Sequence, residues 1–199
     1  MLRSARESAP ARLLHEWYEA ALAEGLYQPD AMALATVGPG GAPSVRMVLM
    51  KGYGDEGVLF FTNYQSRKGG DIAADARVAA TLWWGPPERA VRIEGAAERC
   101  DGALSDDYFA ARPRGSRLAA IVSPQSQVIG HLDELHSAHR ELDQRLAGAE
   151  PERPGYWGGY WIRPDVYEFW QGRADRLHER IRYERSGERG GWTKSLIGP

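Results

Sequence analysis

The sequence predicts a mainly β fold with helical cover (α+β), an antiparallel barrel, and three observations predict it. Short β-prone runs succeed one another between residues 31 and 100, separated by turn clusters rich in Gly and Pro. Helix-period segments are interspersed before, between and after these runs. The chain has 199 residues, 43% of them hydrophobic and 26% charged, which suits one domain with a sizeable core. The expected unit is residues 1–199, with 1–10 as a flexible N-terminus.

Each element has its own signal. From Ala11 to Glu24, Leu14, Trp17, Tyr18, Ala21 and Leu22 recur at helical spacing, with Glu16, Glu19 and Glu24 on other faces. AMALATV (31–37), the turn GPGGAP and SVRMVLMK (44–51) read as a hairpin. GVLFFTN (57–63), RVAATLWW (77–84) and AVRIEGAAERC (90–100) are further strands, the last bent at Gly95. SRKGGDIAADA forms a short helix opened by a basic turn. Helices are expected near 103–112 and 116–123, and a longer one over 131–147 carries Leu132, Leu135, Leu142 and Leu146 on one stripe. Beyond the PERPGYWGG break, strands are expected over 159–171 and 176–184. No internal repeat or low-complexity tract interrupts this pattern.

Composition narrows the function. A formal net charge of −2 argues for neither nucleic acid nor an anionic membrane as partner. The single cysteine, Cys100, cannot form an internal disulfide, which fits a reducing cytoplasm. The opening residues carry no long apolar run, so neither a signal peptide nor a membrane span is expected there. His131, His136 and His139 lie on one expected helix without a carboxylate or thiolate partner, so no metal site is expected. Seven tryptophans are expected as core or interface anchors, and one or two would suit a planar ligand.

Several segments carry charge where a strand or helix end must answer for it. Arg46 and Lys51 bracket the apolar run Met47, Val48, Leu49, Met50. On one continuous strand they start on opposite faces, with α-carbons roughly 17 Å apart at about 3.3 Å per residue. Ser66, Arg67 and Lys68 precede Gly69 and Gly70 at a helix start, where N–H groups and cations together favour an anion such as phosphate. Tyr108 and Arg112 are four apart on an expected helix, and Ser116 follows the Pro113–Gly115 turn. Gln125 and Ser126 offer donors in a loop. On a strand over 176–183, Arg176, His178, Arg180 and Arg182 would share a face, which is costly unless solvated or turned to an anion.

Taken together and in order, RMVLMK (46–51), FFTN (60–63) with SRK (66–68), YFAARPRGS (108–116), SPQS (123–126) and FWQG (169–172) with RLHER (176–180) resemble the pyridoxamine 5′-phosphate oxidase family. The likeness runs from the helix containing Trp17 to Trp192. It implies a split antiparallel β-barrel and a homodimer with flavin mononucleotide (FMN) at the subunit interface. Arg46, Met47, Val48, Leu49, Met50, Lys51, Phe61, Thr62, Ser66, Arg67, Lys68, Gln125, Ser126, Trp170 and Arg180 would surround FMN, with Arg67 and Lys68 at its phosphate. Lys51, Tyr108, Arg112 and Ser116 would hold the phosphate of a vitamin B6 substrate. Arg176 and His178 would be catalytic, beside its reacting carbon. The implied reaction oxidises pyridoxamine 5′-phosphate, and by extension pyridoxine 5′-phosphate, to pyridoxal 5′-phosphate with O2 as acceptor and H2O2 as product.

The chain departs from the family pattern in places. Ala90 stands where the family has a flavin-contacting glutamine before the Val of the fifth strand. The basic-aromatic arm before the first helix has no clear counterpart, and the usual Arg-Leu-x-Pro ending reads Leu196-Ile197-Gly198-Pro199. Two alternatives therefore stand beside the oxidase. One is a phenazine-type FMN oxidase of secondary metabolism acting on a non-B6 substrate. The other is a non-catalytic flavin- or pyridoxal-phosphate-binding protein.

Overall fold

The first helix, α1 (Ala9–Ala23), begins two residues before the periodicity suggests, because Pro10 is well suited to a first turn, where its missing N–H costs nothing. The computed structural model describes residues 2–3, 8–187 and 191–199. The expectation of a flexible 1–10 thus falls partly on residues 1 and 4–7, outside the described residues. Within that stretch, β1 (Leu2–Arg3) pairs with a later strand, and the Ser8 N–H and hydroxyl both donate to Asp55 Oδ1, at 3.0 and 2.6 Å.

The expected hairpin forms. β2 (Ala31–Val37) and β3 (Pro43–Leu49) pair antiparallel from Ala31↔Leu49 to Val37↔Pro43. Gly40 and Gly41 close the turn at φ 77° and 83°, a left-handed region that glycine enters without steric cost. The strand does not run on to Lys51, however. It stops at Leu49, and the Lys51 N–H donates to Leu59 O at 2.7 Å, starting β4 (Gly52–Gly54) against β5 (Gly57–Asn63). The chain thus leaves one half of the sheet and joins the other between Arg46 and Lys51, so the two cations do not share one straight strand.

Ser66 caps α2 (Arg67–Ala74) and leads to β6 (Arg77–Trp84) and β7 (Arg89–Arg99), whose register shifts between Glu94 and Gly95, where a bend was expected. The helices α3 (Gly102–Ala111), α4 (Arg114–Val122) and α5 (Leu132–Leu146) follow. On α5 only Leu142 of the leucine stripe is buried, and Leu132 is exposed, so this helix lies at the periphery. The last strands are β8 (Trp157–Gln171), β9 (Glu179–Ser186) and β10 (Gly191–Leu196). β4 and β10 were not anticipated, since Gly-Tyr-Gly and Gly-Trp-Thr-Lys-Ser-Leu carry little apolar alternation.

The sheet runs β1-β4-β5-β8-β7-β6-β2-β3, with β9 on β8 and β10 on β9. All pairs are antiparallel except β1 with β4. The fifteen residues of β8 give it a different neighbour at each end, β5 over 157–162 and β9 over 166–171. Among the described residues no ladder joins β3 to β5, so the sheet curls without closing, which is compatible with a split barrel. One apolar cluster fills the inside, with Leu14, Met32, Leu34, Met50, Phe60, Leu82, Val91, Ile162 and Phe169 fully enclosed.

Candidate functional site

The start of α2 gathers positive charge. Ser66 Oγ donates to Asn63 O at 2.7 Å and accepts from the Gly69 N–H, fixing the first turn. A Cβ at Gly69 would strike the backbone of Tyr64, so the close approach requires glycine. Lys68 is buried, yet its ammonium finds only neutral oxygens, Thr62 Oγ1 at 3.1 Å, Ser66 Oγ at 3.2 Å and Gln125 Oε1 at 3.0 Å. Burial and then the charge of Arg46 lower its pKa to about 8. Arg46 is itself lowered, first by burial and then by Arg67, while Asp71 opposes the shift. Its guanidinium donates to Thr36 Oγ1 at 2.6 Å and Leu34 O at 3.2 Å and lies 3.5 Å from Asp71 Oδ2. Three cations thus gather at one helix start, with the buried Asp71 paired to Arg46 alone, an arrangement suited to a bound anion.

Beside this cluster a cavity of about 260 Å³ is lined by the Met47–Leu49 segment, Lys51, Phe61, Thr62, Lys68, Tyr108, Arg112 and Gln125, among others. Phe61 and Tyr108 stack with centroids 4.0 Å apart, and Trp157 continues the stack 5.6 Å from Phe61. Arg112 Cζ sits 4.7 Å from the Trp157 ring centroid. Burial lowers the Arg112 pKa, and its Nη1 is enclosed with no hydrogen-bond partner. A neighbouring cavity of about 290 Å³ also reaches Arg112, Gln125 and Trp157 and adds Ser116 and Asn63. Arg112 thus brings to both cavities a positive charge that no carboxylate among the described residues pairs, which suits an anionic guest. Lys51, by contrast, is already paired with Asp30.

The remaining expected residues divide. Met50 belongs to the core, so only its backbone could meet a ligand. Arg67 and Ser126 are exposed, and Ser126 has φ 72°. Trp170, Arg176, His178 and Arg180 lie at the β8–β9 end and line neither cavity. Arg176 is not on a strand: residues 174–176 form a 3₁₀ turn, with Asp175 at φ 58° and Arg176 at φ 60°. The expected one-sided row of cations is therefore broken before Glu179, where β9 begins. His178 packs 4.6 Å from Trp170, and its Nδ1 accepts from the Arg173 N–H, which leaves the ring proton on Nε2 when neutral. Arg180 is held by Glu168 at 2.8 Å, a buried carboxylate that also binds Arg92 at 3.0 Å.

Residues 18–145 match the family model described as pyridoxamine 5′-phosphate oxidase, and 157–199 match one described as pyridoxine 5′-phosphate oxidase C-terminal dimerisation region. This chain belongs to the pyridoxamine 5′-phosphate oxidase family. It is 49% identical over 192 residues to the pyridoxine/pyridoxamine 5′-phosphate oxidase of Bordetella pertussis, covering 96% of this chain and 90% of that one. The Rubrobacter xylanophilus protein of the same name is 48% identical over 190 residues, covering 96% and 87%. Among solved structures, PhzG from Burkholderia lata in complex with tetrahydrophenazine-1-carboxylic acid superposes with a TM-score of 0.90 at 31% identity, over 96% of this chain and 93% of that one. A pyridoxamine 5′-phosphate oxidase-related, FMN-binding protein from Nostoc punctiforme shares the fold, with a TM-score of 0.77 at 16% identity over 97% and 99%.

Membership in the oxidase family makes the chain an enzyme of the FMN-dependent oxidoreductase class. Its departure at Ala90 lies between Trp83 of β6 and Trp170 of β8, the cross-strand partners of that position. Sequence reasoning missed Asp71, Asp30 and Trp157. Asp71 stands four residues after Arg67 within α2, a spacing that reads as an ordinary helix face. Trp157 had a weak signal in the following Gly158-Gly159, where a Cβ would collide with Tyr64 and with Cys100. Among the described residues no cluster of metal-ligating side chains occurs, and no helix is long and apolar enough to cross a membrane.

Proposed function

We propose that this protein is an FMN-dependent oxidase that converts pyridoxamine 5′-phosphate, O2 and water to pyridoxal 5′-phosphate, ammonia and H2O2. The observation that carries the reading is the pair of adjoining anion sites. Arg46, Arg67 and Lys68 gather at the α2 start, and Arg112, unpaired with any carboxylate among the described residues, lines cavities shared with Lys51, Tyr108 and Ser116. A phosphorylated cofactor beside a phosphorylated substrate needs two such sites.

The residues present fit FMN. Arg67 and Lys68 would hold its phosphate with the N–H groups of α2, and Thr62, Gln125 and Ser126 would donate along its length. Bound there, FMN supplies the hydride acceptor and delivers the electrons to O2. Arg112 and Ser116 would grip the substrate phosphate, and the Phe61–Tyr108–Trp157 stack would wall the site against water. Arg176 and His178, which line neither cavity of this chain, would act from a second copy, consistent with the match of 157–199 to a dimerisation region. In such a homodimer Trp170 and Arg180 would border the flavin from across the interface.

A second reading has a specific observation behind it. The neighbour with a TM-score of 0.90 is PhzG in complex with tetrahydrophenazine-1-carboxylic acid, and Ala90 removes one expected flavin contact. One experiment separates the readings. The purified protein is examined for flavin absorption, then given pyridoxamine 5′-phosphate in air while peroxide and aldehyde are followed. Both products forming with a yellow protein is the expected result. A yellow protein idle with this substrate but active on a dihydroaromatic acid would replace the B6 reading. A protein that cannot be loaded with FMN would remove both.

A further inference from the structure

Lys51, the lysine facing the cavity of Tyr108 and Arg112, is not free to give its whole charge to a ligand. Its Nζ lies 2.6 Å from Asp30 Oδ2, and both side chains are largely enclosed, at 26% and 17% exposure. Asp30 is pinned in place. Its carbonyl accepts the Met50 N–H at 2.7 Å, and the carbonyl of the preceding Pro29 accepts Trp84 Nε1 at 2.9 Å. The next residue, Ala31, opens β2 opposite Leu49, so the aspartate sits beside the turn that carries Lys51. Arg112 differs: its Nη1 is enclosed without an acceptor, and no ion pair to it is formed among the described residues. The same cavity is therefore lined by one cation without an ion pair and one already paired.

We propose that Asp30 is a specificity-determining residue that sets the charge class of the substrate anion. The inference rests on the reading of Lys51 as a ligand of that anion. A phosphate monoester carries about −1.5 to −2 near neutral pH. A dianion would compete with the Asp30 carboxylate for the one Lys51 ammonium, so each negative charge it carries gains less there than from an unpaired lysine. A monoanion, whether a singly protonated phosphate or a carboxylate, loses about half as much by that competition and keeps the Arg112 contact. Asp30 thus weakens the hold on a dianion more than on a monoanion, and it does so through Lys51.

The test uses the FMN-loaded enzyme and reads ligand binding from the flavin absorption spectrum. Wild type and Asp30→Asn are titrated with pyridoxal 5′-phosphate, inorganic phosphate and nicotinate, a pyridine monocarboxylate. Asp30→Ser provides a second variant should the first lose flavin. Removing the carboxylate is expected to tighten both phosphate ligands by about tenfold and nicotinate by only about threefold. In a Lys51→Met background the same substitution is expected to change nothing, a result that a merely structural aspartate would not give. Unchanged or weakened phosphate binding in Asp30→Asn overturns the proposal, and so does an effect that persists without Lys51. A wild type that holds flavin but ignores both phosphates counts against the B6 reading alone if the variants then acquire phosphate binding. If the variants stay silent as well, both ideas fall.

Discussion

Lys68 is a buried cation and Arg112 a partly buried one, each with charge left for an anionic ligand to take. Neither is paired with a carboxylate among the described residues, and both have pKa values lowered by burial. Charge-assisted hydrogen bonds to such groups contribute about 1.5–3 kcal/mol each. Arg112→Met is therefore expected to raise the KM for pyridoxamine 5′-phosphate by about 10- to 100-fold while FMN content stays near wild type, as steady-state kinetics and the flavin spectrum would reveal. Lys68 gives a pH signature. Its pKa is lowered to about 8 in the folded protein against an ordinary value of 10.5, so between these the unfolded chain binds more protons. Stability of the flavin-free protein should then rise with pH through that window. FMN affinity should move the other way, weakening by up to about tenfold per pH unit above 8 as the ammonium is lost. Lys68→Met should flatten both profiles in denaturation and in flavin titration.

At the scale of elements, the site depends on how α2 begins and where β3 ends. Ser66 serves the first as cap, and its hydroxyl also meets the Lys68 ammonium at 3.2 Å. Ser66→Ala should cost about 1 kcal/mol as a lost cap and lower Tm by about 2–4 °C, with weaker FMN retention as the distinguishing readout. The end of β3 decides which way Lys51 faces. Were the strand continuous to residue 51, Arg46 and Lys51 would stay on opposite faces; the switch of partner from β2 to β5 gives each cation its own carboxylate. Positive φ at Ser126 and Arg176, both expected site residues, marks backbone held against its preference by surrounding contacts, at a cost of order 1–3 kcal/mol each. The alternation in RLHER concealed this, because a two-residue period cannot register a 3₁₀ turn.

For the whole molecule, the outer face of β3 is the feature a monomer leaves unexplained. Val45, Met47 and Leu49 point outward at 67%, 64% and 37% exposure from the last strand of the sheet order. An exposed apolar edge invites pairing or burial, and the matched dimerisation region implies a partner copy. Val45→Arg, placed outside both cavities, is expected to shift the protein from dimer to monomer in size-exclusion chromatography with light scattering. Flavin should be lost with the dimer if Trp170 and Arg180 complete the site from across the interface.

The sequence by itself determined the β-rich class, most element positions and the family, and it named most of the residues that line the two cavities beside α2. It could do so because strand alternation, turn glycines and the basic clusters at 66–68 and 108–116 are local patterns in short stretches of chain. Tertiary structure alone decided the counter-charges. Asp71 reaches Arg46 across 25 residues, Asp30 reaches Lys51 across 21, and Glu168 takes Arg180 and Arg92 from neighbouring strands. It also parted Trp170 and His178 from the cavities that their sequence neighbourhood of motifs would have joined. The reason is physical. A charge is visible in a sequence, but its energy depends on which opposite charge lies within a few ångströms and how much water remains between them.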